Sequence, residues 1–318
     1  MRIVFMGTPT FAVCTLKRLV ESEHEVIAVV SQPDRQAGRG KKVHLPPVKE
    51  FALECGISVY QPEKIKTPEF RQLLAELQPE LIVVIAYGKI LPEAVLQAPR
   101  HGCWNIHASL LPKYRGAAPI QWALINGEKH SGVTVMQMDK GLDTGDILCQ
   151  REVEILDDDD AVSLGNMLSV MGADLLVETV NRLEADGQLT AEPQDNALAT
   201  HARILTKEDG RIDWQLDPEA IICRINGLKP WPGAFTIAQD KVYKLHGAIA
   251  FYPGEMDSLL EDKQTPGEII SLLDGRGPLL RTKDSCLCLT SLQPPNRRAM
   301  SGQDAINGGY VKCGMKFE

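Results

Sequence analysis

The chain has 318 residues, 24% of them charged and 44% hydrophobic, the composition of a globular protein long enough for two domains with their own cores. A net charge of -8 excludes a protein that coats nucleic acid through bulk charge, though not one with a local basic patch. No unbroken run of about 18 apolar residues occurs, so no transmembrane helix is expected. Met1–Gly7 is too short an apolar run for a signal peptide and ends in a Gly-Thr-Pro turn, so it reads as a strand. Of the eight cysteines, only Cys286 and Cys288 sit at strand spacing, without the second pair that zinc would require. Reduced thiols in a cytoplasmic protein are the expectation, with no metal.

A strand over Arg2–Gly7, a helix over Thr10–Ser22 and a strand over Glu25–Ser31 make a β-α-β opening. Its turn, Gly7-Thr8-Pro9-Thr10-Phe11, is not the glycine-rich dinucleotide fingerprint. A Rossmann-like, mostly parallel α/β sheet without a bound dinucleotide is therefore expected. Gln32 to Lys42 has no apolar period and carries Arg35, Arg39, Lys41 and Lys42 among glycines; it reads as a mobile loop, either solvated or a phosphate-contacting arm. Further helices are expected over Val48–Cys55, Phe70–Leu77, Leu91–Ala98, Ala118–Asn126 and Val162–Leu183, the last with Asp157–Asp160 at its positive end. Further strands are expected over Ser58–Tyr60, Leu81–Ala86, Cys103–Ile106, Gly132–Met138 and Ile147–Val153. The unbroken apolar run Leu81–Ala86 is that of a central parallel strand buried on both faces. Residues 1–188 thus form one domain, the polar segment 189–203 a linker, and 204–318, with short apolar runs between Gly/Pro turns, a small OB-like β-barrel.

The stretch from Asn105 to Asp146 carries the chemistry. It reads Asn105-Ile106-His107-Ala108-Ser109-Leu110-Leu111-Pro112-Lys113-Tyr114-Arg115-Gly116 and closes with Gly141-Leu142-Asp143-Thr144-Gly145-Asp146. Asn105 and His107 are two apart on a strand and so share one face. An amide donor, a group that gives a proton near neutral pH, and Asp143, which can steer an imidazole or accept a proton, suit acyl transfer to an amine. No Gly-x-Ser-x-Gly elbow is present, so direct transfer fits better than an acyl-enzyme. For these strands to unite the three side chains, those flanking Asp143 must lie beside the one ending at Ile106.

Asn105-x-His107-x-Ser109-Leu110-Leu111-Pro112, with Tyr114-Arg115-Gly116 and Asp143-Thr144-Gly145, resembles the signature of the folate-dependent formyltransferases. The resemblance implies 10-formyltetrahydrofolate as formyl donor and Asn105, His107 and Asp143 as the catalytic set. In it Asn105 and protonated His107 stabilise the oxyanion, and Asp143 keeps His107 protonated or relays the amine's proton. It implies a folate wall from Ser109, Leu110, Leu111 and Pro112. Tyr87, Gly88 and Ile90 border the pteridine or, equally, form a β-α turn that needs Gly88. The Gly-Thr-Pro-x-Phe turn, the basic loop, Leu228-Lys229-Pro230-Trp231-Pro232-Gly233-Ala234 and Leu292 to Met300 are similar to the tRNA-acting members. This implies initiator methionyl-tRNA as acceptor, with Arg35, Arg39, Lys41 and Lys42 at the acceptor arm, and a monomer. Lys207, Arg211, Lys241, Lys244, Arg297 and Arg298 are candidate contacts in the second domain. A formyltransferase of amino-sugar nucleotides or glycinamide ribonucleotide is opposed by the loop and the C-terminal match. An RNA-binding protein with a degenerate catalytic domain is opposed by the intact polar triplet.

Overall fold

A computed structural model of the chain describes residues 1–37, 42–251 and 264–318. They divide into two compact units, one of Met1–Pro119, His130–Glu154 and Gly165–Ala202, the other of Ile120–Lys129, Ile155–Leu164 and Arg203–Glu318.

The first unit is built on a seven-stranded sheet. Its strands are β1 (Arg2–Gly7), β2 (Glu25–Val30), β5 (Val59–Tyr60), β6 (Leu81–Ile85), β7 (Cys103–His107), β9 (His130–Gln137) and β10 (Ile147–Glu154), in the order β10-β9-β7-β6-β1-β2-β5. Five strands run parallel; β9 is antiparallel to both β7 and β10. The helices are α1 (Thr10–Val20), α2 (Pro47–Glu54), α3 (Pro68–Leu77), α4 (Glu93–Leu96) and most of α6 (Ala161–Asp186). Alternation decides which residue meets which layer. Val4, Met6, Ile82, Val84 and Cys103 turn to a cluster holding Phe70 and Leu74 of α3 and Val95 of α4. Ile106 turns the other way, toward α6. Gly172 of α6 lies so close that an added Cβ would come 2.8 Å from Ile106 Cγ2. By length and composition α6 could cross a membrane, but Leu168, Ala173, Leu176 and Val180 along it are fully buried within the protein.

Three local expectations change. The supposed mobile loop is tied at its ends, where β3 (Arg35–Ala37) pairs antiparallel with β4 (Lys42–His44). The sequence there has no apolar alternation to announce a strand pair. Arg39 and Lys41, and the side chain of Lys42, lie outside the described residues. The helix expected over Leu91–Ala98 is a single turn, because Pro92 serves as its cap. The polar stretch read as a linker is fastened to the first unit. Glu192 bridges to Ile147, and β11 (His201–Ala202) pairs in parallel with β8 (Arg115–Gly116).

The second unit is an antiparallel sheet of β12 (Ala234–Ala238), β13 (Lys241–Phe251), β16 (Cys286–Gln293), β15 (Gly277–Arg281) and β14 (Ile269–Leu273) in that order, with β17 (Met300–Ser301) added to β16. Among the described residues the strands alone do not close an OB-like barrel; β12 and β14 are edges. The chain's end bridges them. Glu318 N donates to Ile237 O of β12 at 2.8 Å, while Ile269 N of β14 donates to Met315 O at 2.8 Å. Helices α7 (Pro218–Gly227) and α8 (Gly302–Asn307) belong here, as does most of α5 (Pro119–Ile125). Gly227 of α7 lets α5 approach, since a Cβ there would meet Ile125 Cγ1 at 2.8 Å.

Candidate active site

Strand β7 is buried along its whole length, with Asn105 opposite Met136 and His107 opposite Thr134 of β9. Asn105 and His107 face away from α6, on the side of Cys103. The α3 and α4 helices cover that side at Cys103, where the thiol points at Val95 O. The loops after β7 and β9 bound it at His107.

The loop after β7 is fixed by hydrogen bonds. Ser109 Oγ donates to Lys113 O at 2.6 Å, and Thr134 Oγ1 donates to Ser109 O at 2.7 Å. Gln150 Nε2 donates to Leu111 O at 2.9 Å and Leu111 N to Thr134 Oγ1 at 3.1 Å. The Leu111-Pro112 peptide is cis. Ser109 and Leu111 are buried and Leu110 and Pro112 half-buried, so this stretch is a shaped wall.

His107 Nε2 stands 2.9 Å from Tyr114 O. A carbonyl oxygen can only accept, so Nε2 carries a proton and Nδ1 is the nitrogen left for chemistry. Nδ1 faces Asp143 Oδ2 at 3.7 Å. That oxygen also accepts from Gly116 N at 2.8 Å. Among the described residues the Asn105 carboxamide has no hydrogen-bond partner, although the residue is only 8% exposed. An open amide on the strand face that also carries His107 can bind a carbonyl oxygen and stabilise it as charge develops.

The structure brings His107 and Asp143 together, keeps Asn105 on the same face of β7 as His107, and sets β9 beside β7. Sequence reasoning missed the residues that hold them. Gln194 Nε2 donates to Asp143 O at 3.0 Å and Gly145 O at 2.6 Å, and its Oε1 accepts from Arg115. Gln194 sits in a polar stretch without period, where no sequence signal distinguishes it. Thr134 hides inside a strand whose apolar neighbours dominate the pattern, and Gln150 among the polar residues of the edge strand β10.

Tyr87 and Gly88 follow β6. Gly88 has φ of +83° and Ala86 +46°, so the backbone here takes the left-handed conformation and Gly88 meets that need without a Cβ. Tyr87 is buried; its carbonyl accepts from Gln32 Nε2 at 3.0 Å, and burial pushes its phenol up to about 12. Ile90 is 76% exposed and leaves apolar surface open. Arg35 is exposed on β3. Among the described residues no three His, Cys, Asp or Glu side chains gather as a metal would need.

A family model described as "Formyl transferase" matches residues 1–180, and one described as "Formyl transferase, C-terminal domain" matches 204–309. The chain belongs to the formyl transferase family. It is 58% identical over 316 residues to a methionyl-tRNA formyltransferase of Caldanaerobacter subterraneus subsp. tengcongensis, covering 99% of each chain. It is 48% identical over 316 residues to the methionyl-tRNA formyltransferase of Geobacter metallireducens, covering 99% of this chain and 98% of that one. Among solved structures, WlaRD, a sugar 3N-formyl transferase in the presence of dTDP and 5-N-formyl-THF, superposes with a TM-score of 0.67 at 18% identity, covering 91% of this chain and 96% of that one. HypX from Aquifex aeolicus in complex with tetrahydrofolic acid gives 0.62 at 19% identity, covering 99% and 50%. These two likenesses speak for the formyltransferase fold, and the curated relatives for the family.

Proposed function

We propose that the chain transfers the formyl group of 10-formyltetrahydrofolate to the α-amino group of methionine on initiator tRNA, giving N-formylmethionyl-tRNA for translation initiation. The observation that carries this is the His107–Asp143 pair, with Asn105, whose carboxamide has no hydrogen-bond partner among the described residues, on the same face of β7, in a chain with full-length relatives named methionyl-tRNA formyltransferase.

The residues present fit a folate donor. Asn105 offers the formyl oxygen an amide with no hydrogen-bond partner among the described residues, and the exposed Ile90 offers apolar surface to a ring. Ser109, Leu110, Leu111 and Pro112, with Tyr87, Gly88 and Ile90, are the donor contacts in this reading. The donor supplies an activated formyl group; the chain supplies position and charge. Asn105 donates an N–H to the formyl oxygen, and His107 donates from Nδ1 when that nitrogen is protonated. Tyr114 O holds Nε2, so the imidazole cannot rotate away. Asp143, whose Oδ2 already accepts from Gly116 N, takes the proton that the attacking amine gives up; as the new C–N bond forms, the bond from the formyl carbon to the donor's nitrogen breaks and tetrahydrofolate leaves with a proton on that nitrogen. One oxyanion donor of this kind accounts for about 3–4 kcal/mol of barrier elsewhere.

In this reading residues 1–188 form the catalytic domain, 189–203 the connection, and 204–318 a tRNA-contacting domain. Arg35, Arg39, Lys41 and Lys42 approach the acceptor arm. In this reading the protein works in the cytoplasm as a monomer. The test is transfer of labelled formyl from 10-formyltetrahydrofolate to methionyl-tRNA, with an amino-sugar nucleotide and glycinamide ribonucleotide as competing acceptors. Label on the tRNA alone supports the reading, and label on either small acceptor instead of tRNA refutes it.

A further inference from the structure

Each polar atom of one side chain outside the polar triplet is engaged, and all its partners belong to the loops that hold His107 and Asp143. Gln194 Nε2 donates to Asp143 O at 3.0 Å and to Gly145 O at 2.6 Å. Its Oε1 accepts from Arg115 Nε at 2.9 Å and Nη2 at 2.7 Å. Arg115 is itself buried, at 5% exposure, and its backbone is fixed by Thr200 O at 2.9 Å. The residue before Arg115 supplies the carbonyl that receives His107 Nε2, and the residue after it supplies the N–H that donates to Asp143 Oδ2. Gln194 thus closes a ring: imidazole, Tyr114 carbonyl, Arg115 guanidinium, Gln194 amide, Asp143 backbone.

The Asp143 loop needs such a fastening. Asp143 has φ of +54°, a left-handed conformation that a non-glycine residue holds only when its surroundings require it. Gly145 is pressed onto the sheet, where an added Cβ would collide with Gln137 O. Both carbonyls that flank this bend are the ones Gln194 grips. An amide suits the place, because it presents donors to the carbonyls and an acceptor to the guanidinium at once. A carboxylate would satisfy Arg115 but turn oxygen lone pairs against two carbonyls.

We propose that Gln194 is a positioning residue for formyl transfer: its side chain joins the Tyr114–Gly116 loop to the Asp143 loop and sets the carboxylate against His107. The inference rests on the formyl-transfer reading above, and acts through Asp143 rather than on substrate. Misplacement of a reacting group by about 1 Å lowers turnover on the order of 10²-fold.

The experiment is a kinetic cycle with Gln194→Ala, Asp143→Ala and the double variant, assayed for formyl transfer to methionyl-tRNA. Wild-type transfer is measured first, so failure of the functional reading shows in the wild type and failure of this one in the variants alone. The expected result is a fall in kcat on the order of 10²-fold for Gln194→Ala, with KM for both substrates near the wild-type values. In the Asp143→Ala background, adding Gln194→Ala should change kcat by less than about twofold, since residues acting as one unit are not additive. A kcat for Gln194→Ala near wild type overturns the proposal, as does multiplication of the two effects in the double variant. Where Gln194→Ala does not fold, the near-isosteric Gln194→Glu carries the same cycle with the same two criteria.

Discussion

His107 Nδ1 and Asp143 Oδ2 lie 3.7 Å apart, although the strand leading to Asp143 ends opposite Trp104 and not opposite His107. Since β9 runs antiparallel to β7, its last residue, Gln137, pairs with Trp104. The loop to β10 must therefore double back along β7 to bring a carboxylate to the imidazole. Backbone and side-chain hydrogen bonds from Gly116 and Gln194 hold it there. The pair is thus a product of loop packing, and its separation leaves Asp143 free to bind Gly116 N before any proton moves.

This arrangement predicts distinct outcomes for the three polar residues. Asn105→Ala should lower kcat by about 10²–10³-fold with little change in thermal midpoint, because the carboxamide has no described partner to strand. His107→Ala should lower kcat as severely and also reduce stability by about 1–3 kcal/mol, since Tyr114 O loses its buried donor. Asp143→Ala should resemble it, leaving Gly116 N unpaired. Formyl-transfer kinetics and melting curves on the same preparations check all three. Near-normal turnover in the His107 variant would end the mechanism.

The residues of the site were legible because strand spacing is local information. Asn105 and His107 two apart on a buried strand had to share a face, and Asp143 between two glycines had to lie in a turn. The continuous run of β6 likewise announced a central strand, and it is buried throughout. What the sequence did not reveal depends on backbone pairing between distant segments. Neither β3 with β4 nor β8 with β11 is long enough to show an alternating pattern, since these ladders run for only three and two residues a strand. The same holds for the chain's end, which bridges β12 and β14 through carbonyls and N–H groups that any residue carries. Gln194 is the clearest case, since its role lies in four partners from three other loop residues, and nothing in Pro193-Gln194-Asp195 encodes them.

The cysteines give a second prediction, read by mass after timed alkylation with iodoacetamide near pH 8. Cys55 and Cys313 are exposed and should react first. Burial pushes the Cys103 thiol up to about 12 and the Cys288 thiol to about 11, so the reactive thiolate is scarce at both even before access is considered. Both should stay unmodified until denaturant is added. Alkylation of Cys103 at the rate of Cys55 would contradict the packing of β7 beneath α4.

A third prediction concerns acid stability of the second unit. The Arg203 guanidinium, with help from Thr206 N, holds the Asp209 carboxyl well below the usual carboxylate range. A carboxyl whose pKa is lower folded than unfolded contributes stability above its unfolded value of about 3.9. That contribution fades as the pH falls below this value toward the folded one. Asp209→Asn should therefore melt earlier than wild type at pH 7, and the gap should close below about pH 4. Arg203 is 57% exposed at its side chain, so salt should also narrow the gap. A difference in melting temperature that stays constant from pH 7 to pH 3 would refute the ion pair as its source.

The last prediction tests the basic arm. Arg35 is set on β3, where pairing with His44 of β4 fixes its backbone, and Arg39 and Lys41 follow between the two strands. On a chain with net charge -8, general attraction to tRNA is absent, so binding must draw on local cations such as these. Each phosphate contact releases counterions, and its loss lowers the slope of log affinity against log salt by about 0.7–0.9. Arg39→Ala should raise KM for methionyl-tRNA and flatten that slope by about one contact, while KM for 10-formyltetrahydrofolate stays unchanged. Arg35→Ala should act in the same direction, and the two together should flatten the slope by about twice as much. A tRNA KM and salt dependence equal to wild type in the double variant would return the arm to an ordinary solvated loop.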